Sequence, residues 1–439
     1  MPTAVIIALI TVVLMVVSII VKPYINIGKH KLGIYWVICL IGALLIFICG
    51  ELKISQFIDG ITADTSVNPL KILTLFLSMT LLSVYLGDAG FFDYVADSVF
   101  LKTKGGKFRL FLILYLVVSV LTIFTSNDVI ILTFTPPICI FARKANFSPL
   151  PFLLGEFVAA NTWSMTLIVG NPTNVYLAGS FGITFAEYFS VMFLPALFGG
   201  LTGLGVIILL FRKELFSTAK DFSRRLMITS PEHHAKIVKA PMLVAVFHLV
   251  ACIILLAVSD IIGMEMWIIC LGLALSLTLF DLIYDAIVIK SVKPIWRSIK
   301  KEPYELIPFV LSMFVIVLAL KQSGFTDTLN ELLITCEKSD GVTTGLLSAL
   351  SANLLNNSPM SVLFEKIINS TSYPAIFGAI IGSNVGAFIT PVGALAGIMW
   401  SKILGDYKVK LPFLKFMAYG SAVAIPTLLA SLLGLMIVI

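Results

Sequence analysis

The sequence predicts an all-α polytopic membrane protein, with about ten transmembrane helices plus two re-entrant helical hairpins in two inverted-topology repeats. Three observations predict it. Of 439 residues, 59% are hydrophobic and 12% charged, with a mean hydropathy of +1.04, whereas a soluble chain carries about 45–50% apolar and about 25% charged residues. Small polar residues interrupt two apolar stretches, Thr125-Ser126-Asn127-Asp128 in the first half and Asn356-Asn357-Ser358-Pro359 in the second; at membrane depth these are costly unless they line a cavity or bind something. Finally, basic and acidic loops alternate in an order that reverses between the halves.

A bilayer core about 30 Å thick asks for about 20 apolar residues per helix. Residues 4–21, 33–50, 69–87, 151–178, 190–211, 241–259, 264–282, 303–321, 374–400 and 413–438 meet that requirement. Val5–Val21 lacks a preceding basic region and a following small-residue cleavage site, so it reads as the first membrane helix and not as a cleaved signal. Residues 108–142 and 341–368 are long enough but are broken by the polar stretches.

Loop charge orients these segments. Lys22, Lys29 and Lys31; Lys102, Lys104, Lys107 and Arg109; Arg143 and Lys144; the basic connection 212–240; Lys290, Lys293, Arg297, Lys300 and Lys301; and Lys402, Lys408, Lys410 and Lys415 mark six cytoplasmic connections. Connections carrying Glu51, Asp59 and Asp64, then Glu187, then Asp260 and Glu265, then Asp327, Glu331, Glu337 and Asp340 should face outward. Residues 108–142 then begin and end inside and 341–368 begin and end outside, so each is a hairpin with its tip near mid-membrane.

The halves also match in sequence. Leu77-Ser78-Met79 recurs as Leu311-Ser312-Met313, and at the same offset Leu86, Gly90, Phe91 and Asp93 recur as Leu320, Gly324, Phe325 and Asp327. Ser119, Leu121 and Asn127 recur, at a slightly smaller offset, as Ser348, Leu350 and Asn356. Matching loops carry opposite charge. The expected organisation is therefore a first repeat, 1–211 (hairpin 108–142, broken helix 151–178), a cytoplasmic basic linker, 212–240, and a second repeat, 241–439 (hairpin 341–368, broken helix 374–400).

The helix after each hairpin carries its own polar interruption. In the first half it contains Asn161-Thr162 and Gly170-Asn171-Pro172-Thr173-Asn174, and the glycine and proline predict that 170–174 is not helical. The second half has Gly382-Ser383-Asn384-Val385-Gly386 and Thr390-Pro391-Val392-Gly393. Candidate substrate or ion ligands are therefore Ser126, Asn127, Asp128, Asn161, Thr162, Asn171, Thr173, Asn174, Asn356, Asn357, Ser358, Ser383, Asn384 and Thr390. Free carbonyls, amides and hydroxyls at such breaks can ligate a desolvated cation or hydrogen-bond a neutral hydroxylated solute, while half-helix N-termini favour anions. Asp128 is the one acid at a hairpin tip, facing neutral Asn357 in the matching position, and Glu156 lies inside its helix. A carboxyl at membrane depth can exchange a proton or sodium ion during a transport cycle, so these two are the candidate coupling groups. Asp88 and Lys321 sit near the boundaries and read as snorkelling residues.

Other chemistries find no support. The six cysteines lie far apart in sequence, with no C-x-x-C pair and no neighbouring histidine, which reads as buried small apolar residues and not as a disulfide framework or zinc site. His233-His234 reads as solvated loop. There is no G-x-x-x-x-G-K-[ST], so the chain itself should not hydrolyse ATP. The net charge of +6 lies in short loops, which orients a membrane protein and does not indicate nucleic-acid binding. No nucleophile-base pair marks an enzyme, and no cofactor or metal is expected.

The chain resembles the arsenite/antimonite efflux permeases and, more broadly, the ion-transporter superfamily that includes sodium/proton antiporters and dicarboxylate and citrate carriers. The resemblance is carried by Gly90-Phe91-Phe92, by Ser126-Asn127-Asp128 with Leu132-Thr133 and Pro136, and by Phe181-Gly182-Ile183-Thr184-Phe185-Ala186-Glu187-Tyr188. Asn356-Asn357-Ser358-Pro359 and Ile389-Thr390-Pro391-Val392-Gly393-Ala394-Leu395-Ala396 with Trp400 extend it through the second half. It implies a plasma-membrane secondary carrier, surrounded by membrane lipid, that exports arsenite or antimonite coupled to a proton or cation gradient, with a small inorganic or organic anion or acid as substrate and a proton or sodium as coupling ion. A homodimer and a separate ATPase subunit are the partners it allows. Two departures stand out: Asn161 occupies a place where those permeases carry Asp, and Gly382-Ser383-Asn384-Val385-Gly386-Ala387-Phe388 replaces a Gly-x-Asp-x-Gly-Pro-Lys pattern. Sodium-coupled transport of a dicarboxylate, citrate or other small anion is the alternative.

Overall fold

The computed structural model describes residues 2–21, 24–27, 30–63, 68–102, 106–217, 238–300, 304–325, 340–368 and 372–439. His233, His234 and most of the 212–240 linker lie outside the described residues, as do Asp64, Asp327, Glu331, Glu337 and Cys336. The first half contains α1 (Thr3–Val21), α2 (Ile34–Ile48), α3 (Ile54–Thr62), α4 (Pro69–Asp88), α5 (Phe91–Lys102), α6 (Lys107–Phe124), α7 (Asn127–Ala145), α8 (Leu150–Trp163), α9 (Pro172–Ser180), α10 (Phe185–Leu210) and the short α11 (Arg212–Leu215). In the second half come α12 (Lys239–Ala257), α13 (Ser259–Ile262), α14 (Met266–Tyr284), α15 (Lys293–Ile299), α16 (Leu306–Gln322), α17 (Asp340–Leu355), α18 (Asn357–Ile367), α19 (Tyr373–Gly386), α20 (Leu395–Asp406) and α21 (Phe413–Val438).

Among the described residues, α4, α6, α10, α12, α21 and Met266–Ile289 are long and apolar enough to cross a membrane by length and composition, and α1, α2, α16 and α17 hold shorter apolar stretches. The all-α expectation needs one correction. Between α1 and α2, β1 (Tyr24–Ile27) pairs antiparallel with β2 (His30–Gly33), Tyr24 opposite Gly33 and Ile27 opposite His30. This ladder satisfies backbone groups that a short connection between helices would otherwise leave to solvent.

Local sequence sets the helix boundaries. Asn68 caps α4, its Oδ1 accepting from Leu70 N at 2.8 Å, with Pro69 at the first helical position. Thr184 and Glu187 form a capping box at the start of α10. Pro136 and Pro137 lie inside α7, and Pro195 and Pro426 inside α10 and α21, tolerated because neighbouring helices surround the freed carbonyls.

The packing is reciprocal between the halves. The α2 helix packs on α16, where Tyr35 Oη donates to Glu305 Oε2 at 3.1 Å and Gly33 N to Glu305 Oε1 at 3.4 Å. In the second half, α14 packs on α4, where Lys71 Nζ pairs with Glu265 Oε2 at 2.7 Å. Likewise α7 packs on α20, while α18 packs on α9. The long helices α10 and α21 lie against each other: Gly203 faces Thr427, and Gly434 faces the turn at Pro195.

The closest helix crossing joins α17 to α19. A Cβ on Gly378 would collide with the Gly341 carbonyl, and one on Gly382 with Ser348 Oγ and the Gly345 carbonyl. This small-residue seam lets two backbones touch, which is how helices gain packing where the hydrophobic effect is absent. It also fixes the end of α19, on which Ser383 and Asn384 sit. Gly378→Val should therefore cost about 1–3 kcal/mol through overpacking, read as a lower melting temperature of the detergent-purified protein; an unchanged melting temperature would contradict so close a crossing.

Candidate functional site

The polar interruption in the first half ends α6 at Phe124 and starts α7 at Asn127. Ser126 is the N-cap, accepting from Asp128 N at 3.3 Å, and Asn127 Oδ1 accepts from the same amide at 2.9 Å. Asn127 turns its amide nitrogen toward α8 and donates to Asn161 Oδ1 at 3.2 Å. Asn161 in turn donates to the Phe157 carbonyl at 2.8 Å. Asp128 is half-buried, and its carboxylate makes no hydrogen bond among the described residues.

The broken helix departs from the sequence expectation. The break begins at Ser164, passes through two short 3-10 turns (Ser164–Thr166 and Ile168–Gly170), and ends at Asn171. Pro172 opens α9 instead of ending a helix, so Thr173 and Asn174 are helical. The physical reason is that proline lacks only a donor that the first turn leaves unused, and its φ already suits a helix; Asn171 caps that turn through Thr173 N at 3.2 Å. Gly170 is required by close approach, since a Cβ there would collide with the Ser164 carbonyl. In the second half, α19 runs helical to Gly386, so Ser383 and Asn384 lie on an intact last turn and the break falls at residues 387–394.

Asn384 is where the halves meet. Its Oδ1 accepts from Asn171 Nδ2 at 2.9 Å and from Ser164 Oγ at 3.1 Å, and its Nδ2 donates to Asn174 Oδ1 at 2.7 Å. Asn174 Nδ2 donates to the Ser164 carbonyl at 2.9 Å, and Ser164 Oγ also lies 2.8 Å from the Asn161 carbonyl. Thr173 Oγ1 and Ser383 Oγ lie 3.3 Å apart beside it. Asn127, Asn161, Asn171, Thr173, Asn174, Ser383 and Asn384 thus form one continuous buried network of neutral amides and hydroxyls. Thr162 stands apart: its Oγ1 is buried with no partner among the described residues, and its methyl group packs toward Gly199 on α10.

The second tip forms a neighbouring cluster. Asn356 sits at φ +75° and ψ +152°, a conformation essentially reserved for glycine. It is held there because Asn356 Nδ2 donates to the Val392 carbonyl at 2.9 Å and Asn357 N to the Gly393 carbonyl at 2.9 Å. Thr390 bonds Asn353 Oδ1 through both N (2.9 Å) and Oγ1 (2.7 Å), and Asn353 Nδ2 reaches the Gly386 carbonyl at 2.8 Å. The last turn of α19 therefore joins this cluster to the first network. Ser358 borders a small recess lined by Tyr35, Phe309 and Leu395.

Glu156, the second coupling candidate, is buried among three helices. Its carboxylate accepts from Thr135 Oγ1 on α7 at 2.8 Å and from Trp400 Nε1 on α20 at 3.4 Å. Ser164, Asn353, Thr135 and Trp400 were not among the candidates from sequence. Asn353 lies one turn before Asn356, and Ser164 one turn after Asn161, so helical spacing from a known candidate was the available signal. Asn384→Ala would strip partners from Ser164, Asn171 and Asn174 together; a loss of about 1–3 kcal/mol per orphaned buried group should appear as a large drop in thermal stability, and a wild-type melting curve would refute the network.

Three comparisons follow from this geometry. The family model CitMHS, described as citrate transporter, matches residues 16–373. An arsenical pump membrane protein of Escherichia coli is 25% identical over 430 residues, covering 92% of this chain and 93% of the relative, and one of Yersinia enterocolitica is 26% identical over 378 residues, covering 82% and 84%. In fold, the crystal structure of the Alcanivorax borkumensis YdaH transporter superposes with a TM-score of 0.55 at 13% identity over 99% of this chain and 97% of that one.

Proposed function

The chain belongs to the CitMHS citrate-transporter family, and on that premise we propose that it is a secondary active carrier exporting arsenite or antimonite against a proton or cation gradient. It is a multi-pass integral protein of the plasma membrane. The observation that carries the proposal is the buried network centred on Asn384, which draws amides and hydroxyls from both halves to one place at the ends of broken helices.

Arsenous acid is uncharged at cellular pH and presents three hydroxyls, each able to donate and accept. A lining of neutral Asn, Ser and Thr groups matches that pattern, and transfer of a neutral solute from water avoids the cost of burying an ion. The proposed ligands are Ser126, Asn127, Asn161, Asn171, Thr173, Asn174 and Ser383 with Asn384, and at the second tip Asn356, Asn357, Ser358 and Thr390. Thr162 stays a candidate only through its unpaired hydroxyl. Asp128, whose carboxylate is free to take up an ion, is the proposed coupling group. Glu156 is a second one, since Thr135 and Trp400 place it where α8 meets both a hairpin arm and the helix after the other half's break.

The reciprocal packing supports two inverted repeats, 1–211 and 241–439, with 108–142 and 341–368 as re-entrant hairpins. Lys71–Glu265 joins two ends that loop charge assigns outside, whereas Tyr35–Glu305 joins two ends it assigns inside. Such an arrangement lets one half open as its partner closes around a fixed site. A homodimer and an ATPase subunit are partners compatible with this reading.

The citrate description of the family model favours a second reading, sodium-coupled transport of citrate or a dicarboxylate. No lysine or arginine takes part in the described hydrogen bonds of the network, which favours the neutral solute. Everted vesicles containing the wild-type protein should accumulate arsenite when a proton or sodium gradient is imposed. Asp128→Asn should abolish that accumulation while arsenite still raises the melting temperature. Wild-type vesicles that take up citrate with sodium and ignore arsenite would reverse the assignment.

A further inference from the structure

A cluster of sulfur atoms lies well away from the polar network, between α4, α12 and α14. Cys252 Sγ on α12 is 3.6 Å from Cys270 Sγ on α14 and 3.4 Å from Met79 Sδ on α4. Both cysteines are fully buried and Met79 nearly so. The two thiols stand 18 residues apart in sequence, and they meet because α12 and α14 pack side by side after a short connection. Two sulfurs that share one soft ion at about 2.3 Å each sit roughly 3.8 Å apart in a tetrahedral site. The observed Cys252–Cys270 spacing is close to that bite.

A cavity of about 380 Å³ opens near the Lys71–Glu265 pair, lined in part by Leu75 on α4, Val175 on α9, and Met264, Met266 and Trp267 on the approach to α14. Met79 follows Leu75, and Cys270 follows Met266, one helical turn deeper on the same faces. Thioethers at the mouth and thioether plus thiols below the floor form a graded series of soft donors, a set that discriminates for thiophilic ions and against hard cations.

We propose that Cys252, Cys270 and Met79 form a second binding site, specific for trivalent arsenic or antimony, beneath this cavity. The choice of ligand rests on the proposed function. The chemistry suits a low-dielectric place. Arsenous acid condenses with two thiols: two As–S bonds form, two As–O bonds and two S–H bonds break, and each thiol proton leaves with a hydroxyl as water. Arsenic stays trivalent, no oxidant is required, and reactants and products are all neutral, so no charge is created where charge is costly. Met79 Sδ supplies a third, neutral soft donor. Cys39 offers a built-in comparison, since it lies 3.6 Å from Met15 Sδ between α1 and α2 and, among the described residues, no hydrogen bond joins it to a second thiol.

The test uses the purified full chain, reduced with a monothiol, incubated with arsenite and freed of unbound arsenic. Arsenic per protein is then measured by elemental mass spectrometry. Wild type should retain one equivalent, which a small dithiol removes. Cys252→Ala and Cys270→Ala should each lower retention at least about tenfold, Met79→Leu should lower it by a smaller factor, and Cys39→Ala should leave it unchanged. Retention in both single variants, or none in wild type, overturns the site. Should an alanine variant fail to fold, wild type alone decides: X-ray absorption at the arsenic edge must show sulfur neighbours around the retained arsenic, and oxygen neighbours alone overturn the site. Vesicle transport measured in parallel separates the two readings. Arsenite transport without thiol-bound arsenic sinks this site alone, and thiol-bound arsenic without transport sinks the carrier reading and leaves the site.

Discussion

Everything in this molecule answers to one constraint, that a polar atom at membrane depth must find its partner inside the protein. The carboxamide of Asn384 meets it by bonding Ser164, Asn171 and Asn174, three groups of the opposite half. An amide is suited to this, having donor and acceptor on one planar group, so a single side chain ties the end of α19 to both edges of the break between α8 and α9. The close seam between α17 and α19 holds that amide in place, and Gly170 lets the broken strand curl over Ser164. The network is thus a consequence of helix packing as much as of the polar residues themselves.

The two tips solve the same problem unequally. At the first, Ser126 and Asn127 satisfy the opening amide of α7 with ordinary caps, and the carboxylate of Asp128 has no hydrogen bond among the described residues. At the second, Asn356 is forced into a glycine-like conformation and pinned by carbonyls of the neighbouring break. Strain of that kind costs on the order of 1–3 kcal/mol and persists only where the surroundings over-determine it.

Outside the network, several polar contacts lie at the ends of helices. Glu305 with Tyr35, Glu265 with Lys71, and Glu187 with Tyr373 each clasp elements distant in sequence. Glu156 with Thr135 and Trp400 is a buried polar contact, and the sulfur cluster, also buried, needs no charge to be stable there. Hard-ligand chemistry and soft-ligand chemistry therefore occupy separate places, one between the halves and one between α4, α12 and α14.

Composition and apolar run length determined a great deal by themselves: a helical membrane protein, where many of its apolar helices lie, the two polar breaks at 125–126 and 356, and most of the amides that come together. They could do so because the cost of polar groups in hydrocarbon is paid locally and so is written locally in the sequence. Helix boundaries at Pro172 and Gly386 were legible only in part, since proline stops one helix and starts another with the same residue. The sequence could not place Ser164 against Asn384, bury Glu156 between Thr135 and Trp400, or bring Cys252 to Cys270. Those contacts join residues far apart in the chain, and only the packing of helices, decided by shape across the whole fold, sets which faces meet.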